Sequence, residues 1–151
     1  MKQIRQVHSY SKNRQEGTIM LQIKQFPYGA DNLGYLIYGG KQAMAIDGGS
    51  VSSILSFIND KQLKLRYVTN THSHPDHLLG NRALLEVAGA EFLNFETIVR
   101  DGYIKLEDTR ITVMHTPGHS QDSVCFYFDD LLISGDTLFN GKVGRCFTGD
   151  Y

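Results

Sequence analysis

An α/β fold is predicted by three observations. Short apolar runs with strand character recur along most of the chain. Between two of them, Val51, Ile54, Leu55 and Ile58 recur at helical spacing. A cluster of metal-capable side chains follows directly on another such run, and the ends of strands are where α/β folds collect function. At 151 residues the chain has the length of one domain that can bury a core.

Residues 1–17 are polar and lack a clear period, so they read as a flexible extension or an edge element, with His8 a bystander in it. The domain is expected over 18–151. Met20 to Phe26, Leu33 to Tyr38 and Gln42 to Asp47 read as three strands separated by Gly-bearing turns, short enough for an antiparallel meander. A helix through Val51 to Ile58 follows, with Ser50 as its cap. Leu63 to Thr69 returns to strand character. A second helix carries Leu84, Leu85, Val87 and Ala88 and stops at Gly89. Phe92 to Val99 fits either pattern. Ile111 to His115, Ser123 to Phe128 and Leu131 to Ser134 are three further strands.

The segment Thr71-His72-Ser73-His74-Pro75-Asp76-His77 places three imidazoles and a carboxylate in seven residues. If the preceding strand continues, His72 and His74 point to one side, because side chains alternate with period two, and they can share one ion. Pro75 removes a donor and disfavours helical angles at His74, so a turn is expected there and a helix only after it. Asp76 and His77 then leave in another direction, toward a neighbouring ion. Imidazole nitrogen and carboxylate oxygen suit zinc, with iron and manganese as alternatives. Thr116-Pro117-Gly118-His119-Ser120 and Gly135-Asp136-Thr137 are turns after strands, and they can bring His119 and Asp136 to the same place. His115, inside a strand, is read as a packed histidine and not a ligand.

Composition excludes several classes. Hydrophobic residues make up 41% of the chain and the net charge is −1, with lysines and arginines scattered, so neither disorder nor a nucleic-acid-binding surface is indicated. No apolar run approaches the roughly 20 residues of a membrane span, and Met1 to Gln6 contain no signal-peptide core. Cys125 and Cys146 give no disulfide framework, and the reducing cytoplasm is the expected compartment.

His72-Ser73-His74-Pro75-Asp76-His77, Pro117-Gly118-His119 and Gly135-Asp136-Thr137-Leu138-Phe139 resemble the metal-binding motifs of the metallo-β-lactamase superfamily, whose fold is an αββα sandwich. The resemblance runs from about residue 19 to the end. Asp31-Asn32 before a Tyr-Leu-Ile strand, Gly135 to Phe139, and Val143-Gly144-Arg145-Cys146-Phe147 are most similar to glyoxalase II, the hydroxyacylglutathione hydrolases. The resemblance implies His72, His74 and His119 on a first metal, Asp76 and His77 on a second, and Asp136 bridging, with Asp76 and Asp136 the carboxylates of the reaction. It implies that Arg145 holds a glutathione carboxylate, that Phe147 lines the same pocket, and that Asp47 orients a ligand histidine.

The activity implied is hydrolysis of a glutathione thioester, S-2-hydroxyacylglutathione, to glutathione and a 2-hydroxy acid. A metal lowers the pKa of bound water from 15.7 to about 7, which makes hydroxide available at neutral pH. Glyoxalase II enzymes take one more histidine for the second metal from a Gly-His turn farther along, and add a C-terminal helical domain. Neither lies within the residues up to Tyr151. The sandwich is therefore expected to be truncated in its second half. Three readings follow: a thioester hydrolase, a mononuclear iron enzyme like the persulfide dioxygenases of the superfamily, or a non-catalytic or split form that needs a partner. A homo-oligomer covering the truncated edge belongs to the last.

Overall fold

The structure, a computed structural model, describes residues 5–6 and 20–148. His8 and the boundary expected between residues 17 and 18 lie outside the described residues. In chain order the elements are β1 (Arg5–Gln6), β2 (Gln22–Tyr28), β3 (Asn32–Tyr38), β4 (Gln42–Ile46), α1 (Val51–Asp60), β5 (Lys64–Thr69), α2 (Pro75–Leu78) and α3 (Asn81–Ala88). They continue with β6 (Glu91–Phe92), α4 (Phe95–Asp101), β7 (Tyr103–Leu106), β8 (Thr109–His115), β9 (Val124–Phe128), β10 (Leu131–Ile133), β11 (Leu138–Phe139) and β12 (Lys142–Val143).

Two five-stranded sheets face each other, in the orders β2-β3-β4-β5-β6 and β1-β10-β9-β8-β7, and β11 with β12 forms a small ribbon. The expected meander is present: β2, β3 and β4 pair antiparallel, and β4 then pairs parallel with β5 after the crossover through α1. Strand alternation sorts the core into two layers. Tyr35, Ile37, Met44 and Ile46 point between the sheets and meet Leu106, Ile111, Val113, Phe126 and Ile133 of the second sheet. Leu36, Ala43, Ala45, Leu65 and Val68 point the other way, and Ile54, Ile58 and Leu84 from α1 and α3 cover them. On the second sheet Tyr103, Met114 and Tyr127 remain partly exposed. No helix among the described residues is long and apolar enough to cross a membrane.

Several local expectations need correction. Ser50 occupies the N-cap of α1, but its side chain makes no capping bond. The helix at the histidine loop begins at Pro75 itself, since the missing N–H costs nothing at the first helical position, and His74 stays extended at φ −63°, ψ 139°. The ambiguous stretch 92–99 divides at Asn94, whose side chain accepts from Thr97 N at 2.9 Å and starts α4. Gly89 ends α3 in the left-handed conformation, as expected. The strand β7, Tyr103-Ile104-Lys105-Leu106, has no counterpart among the strands read from the sequence.

At the far end of the sandwich from the histidine loop, Glu107 ties the two sheets together. Its carboxylate accepts from Lys41 N at 2.7 Å, Gln42 N at 2.8 Å and Gly40 N at 3.3 Å. Burial alone would raise this carboxyl, but the three backbone donors outweigh it and hold it below its ordinary value of 4.5. A depressed folded pKa gives stability that is complete above the ordinary carboxylate range and is lost as pH falls through the folded value. Glu107→Gln is therefore expected to cost about 1 kcal/mol in urea unfolding at pH 7. The difference from the parent protein should vanish in acid, and a difference that persists unchanged at pH 3 would contradict this role.

Candidate metal centre

The site lies where β4 and β5 both end. Because these strands run parallel, Asp47 after β4 and Asn70 to His74 after β5 emerge side by side. Asp47 is fully buried and adopts the left-handed conformation at φ 51°, a region that Asp tolerates better than most residues. Its Oδ1 accepts from Thr71 N at 2.8 Å, and its Oδ2 accepts from Thr71 Oγ1 at 2.7 Å and meets His77 Nδ1 at 2.9 Å. The acid thus organises the loop that carries the histidines.

These bonds fix the histidine tautomers. His77 Nδ1 donates its hydrogen bond to Asp47 Oδ2, so that Nε2 is the ring's acceptor nitrogen. Thr71 has spent its hydroxyl proton on Asp47, so at 3.0 Å it accepts from His72 Nδ1 and leaves His72 Nε2 bare. His119 Nδ1 donates to the carbonyl of Arg145 at 2.9 Å, which leaves its Nε2 bare as well. Both bare nitrogens converge on His74 Nδ1, at 3.0 Å from His72 and 3.1 Å from His119. One proton on His74 could satisfy only one of those approaches. Three nitrogens bound at roughly 2.0–2.1 Å to one tetrahedral ion stand roughly 3.3 Å apart, close to what is found here. The donor set fits a metal.

A second group of potential ligands adjoins the first. Atoms of His72, His77 and Asp136 lie within 4.8 Å of one another, as do those of His72, His74 and His119. Asp136 Oδ1 stands 3.5 Å from His77 Nε2 while its Oδ2 stands 3.6 Å from His119 Nε2, so one carboxylate faces both groups. Asp76 Oδ2 lies 3.6 Å from His77 Nε2. Gly135 brings Asp136 this close: it sits at φ 50°, and a Cβ there would collide with the Thr71 side chain. Burial first, and then the neighbouring His77, push the His72 imidazole down to about 4, so at neutral pH it is uncharged.

Arg145 and Phe147 form the rim. Both side chains are exposed, the guanidinium lies 4.9 Å from the Phe147 ring centre, and that ring stands 5.4 Å from the ring of His119. His115 is elsewhere: its Nε2 meets the carbonyl of Gln121 at 2.8 Å, and its ring meets Phe95.

The chain matches the metallo-beta-lactamase superfamily over residues 31–99 and 91–148. It belongs to that superfamily. The hydroxyacylglutathione hydrolase of Pelagibacter ubique is 33% identical over 136 residues, which cover 80% of this chain and 57% of that protein. The hydroxyacylglutathione hydrolase of Francisella philomiragia is 38% identical over 125 residues, covering 75% and 50%. The chain thus spans about half the length of the curated relatives it matches. The BLEG-1 B3 metallo-beta-lactamase shares the fold, with a TM-score of 0.69 at 24% identity over 82% of this chain and 76% of that one. The expected metallo-β-lactamase fold and the similarity to glyoxalase II are both borne out.

Four residues in this superfamily site escaped sequence reasoning. Asn32 Nδ2 donates to Asp76 Oδ2 at 2.8 Å. Asn70 Nδ2 donates to the carbonyl of His77 at 2.7 Å and pairs with Asn81. Asp122 accepts from Ser120 Oγ at 2.7 Å and is also bonded by Ser73, which joins the loop of His119 to that of His72 and His74. Tyr28 has a buried hydroxyl with no hydrogen-bond partner among the described residues, and burial together with Asp47, Asp76 and Asp136 holds its pKa well above the usual value. Only Asn32 stood within a quoted motif, and a neutral amide far from the histidines carries no signal of its own.

Proposed function

We propose that this chain carries the metal centre of a glyoxalase II-like hydrolase that cleaves S-2-hydroxyacylglutathione to glutathione and a 2-hydroxy acid. The observation that carries the reading is the meeting of bare His72 Nε2 and His119 Nε2 with His74 Nδ1. The relatives named hydroxyacylglutathione hydrolase supply the reaction class. In this reading His72, His74 and His119 would hold a first zinc ion, Asp76 and His77 would serve a second, and Asp136 would serve both, with iron or manganese as alternative metals. A bound zinc ion would acidify a water and polarise the thioester carbonyl.

The chain's own residues do the rest. Asp47 and Thr71 hold His77 and His72 in the tautomers that present Nε2. Asp136, with one oxygen toward each group, is placed to accept a proton from a water between them. The departing thiolate is a good leaving group and needs no strong acid. Arg145 suits a glutathione carboxylate, and Phe147 beside it covers the apolar part of the substrate. The buried thiol of Cys125 supports a reducing, cytoplasmic setting.

Zinc-loaded protein is expected to release free thiol from S-lactoylglutathione. No release at any zinc, iron or manganese loading would refute the reading. Oxygen uptake with glutathione persulfide in place of thiol release would replace it with the dioxygenase.

A further inference from the structure

We propose that Asn32 is a positioning residue for Asp76, and that through Asp76 it governs how tightly the second metal position binds its ion. The inference rests on the metal reading above and adds to it a residue remote in sequence. Asn32 opens β3, opposite Tyr28 across the hairpin, and is only 8% exposed. Asp76 lies on the four-residue α2, and its side chain is 56% exposed. A carboxylate in that setting has many rotamers to lose when it is ordered for a ligand.

The amide of Asn32 removes much of that freedom beforehand. Its Nδ2 donates at 2.8 Å to Asp76 Oδ2, the same oxygen that stands 3.6 Å from His77 Nε2. A carboxylate oxygen has two lone-pair directions, so one can take the amide proton while the other stays turned toward the histidine. The chemical type of the donor matters too. A lysine or arginine would hold Asp76 as well, but its charge would repel a cation at the adjoining position, whereas an amide orients the carboxylate without opposing one.

The neighbour across the hairpin follows the same rule. Burial first, and then Asp47, Asp76 and Asp136, raise the pKa of Tyr28, so an uncharged phenol stands near these carboxylates. Its ring lies where a Cβ on Gly49 would be, so the turn after Asp47 is fitted to it. The hairpin end therefore brings one amide donor to Asp76 and no charge of its own at Tyr28 or Asn32.

The test is titration of metal-free protein with Co2+, followed by calorimetry and visible absorption, for the parent chain, Asn32→Leu and Asn32→Ala. Two binding events are expected in the parent chain. Both variants should weaken the weaker event about 10- to 100-fold, the range for residues that orient a ligand. The tighter event and its absorption spectrum should stay unchanged, and they report that the fold is intact. An unchanged weaker event in either variant would overturn the proposal. So would equal loss of both events, which would assign Asn32 to the fold. A single event in the parent chain overturns the role of Asn32 but leaves the metal reading standing. No binding at all overturns both.

Discussion

Asp47→Ala is expected to lower stability by about 2–4 kcal/mol, because it strands buried hydrogen-bond donors that each cost roughly 1–3 kcal/mol when unsatisfied. Thr71 N, Thr71 Oγ1 and His77 Nδ1 all converge on this one buried carboxylate, and its removal leaves each of them without that acceptor. The alanine would also have to hold a backbone φ of 51°, which Asp tolerates better. Asp47→Asn keeps shape and backbone but turns one acceptor into a donor. It should therefore fold more nearly like the parent and lose metal affinity about 10- to 100-fold. Urea unfolding and zinc titration separate the two effects. An Asp47→Ala protein within about 1 kcal/mol of the parent, roughly the scale of an ordinary surface change, would contradict the network.

His72→Ala should lose metal and thioester hydrolysis together, by more than the roughly 100-fold typical of residues that only orient a ligand. His72 belongs to both convergent groups, with His74 and His119 and with His77 and Asp136, so its removal opens both. His115→Ala is the matched control, because that ring contacts only Phe95 and the carbonyl of Gln121 among its described partners. It should retain metal content and turnover within about twofold, as expected for a surface change. Metal analysis beside thiol release decides the matter. Equal losses in the two variants would show that the site does not lie where the rings converge.

The candidate ligands were legible because their information is local. Three histidines and an aspartate within seven residues, a Pro-Gly-His turn and a Gly-Asp-Thr turn each declare chemistry without reference to the rest of the chain. Strands β2 to β5 and α1 were legible for a similar reason, since their alternation or helical spacing persists over five or more residues. Of the residues that hold these side chains in place, Asp47 was named through the family resemblance, and the others were not. Asn32 reaches Asp76 across 44 positions, and Asp122 joins two loops through serines that look like ordinary turn residues. Neutral amides and hydroxyls have so many structural uses that their partners emerge only when tertiary pairing is known. Stretch 92–99 failed for another reason. Its apolar residues serve a two-residue strand and a short helix in succession, and neither runs long enough to set a period.

The parallel pairing of β4 with β5 has a consequence for assembly in time. Parallel neighbours cannot close through a tight turn, so Asp47 and the histidine loop meet only after α1 has crossed over the sheet. His119 and Asp136 then arrive from the other sheet, 42 and 59 positions beyond His77 by numbering alone. No early local structure contains more than a fragment of the cluster, and loop-closure entropy must be overcome before any ion finds its full set of ligands. An ion that binds only the finished arrangement therefore stabilises the domain by mass action, and a chelator would lower its melting temperature as well as its turnover.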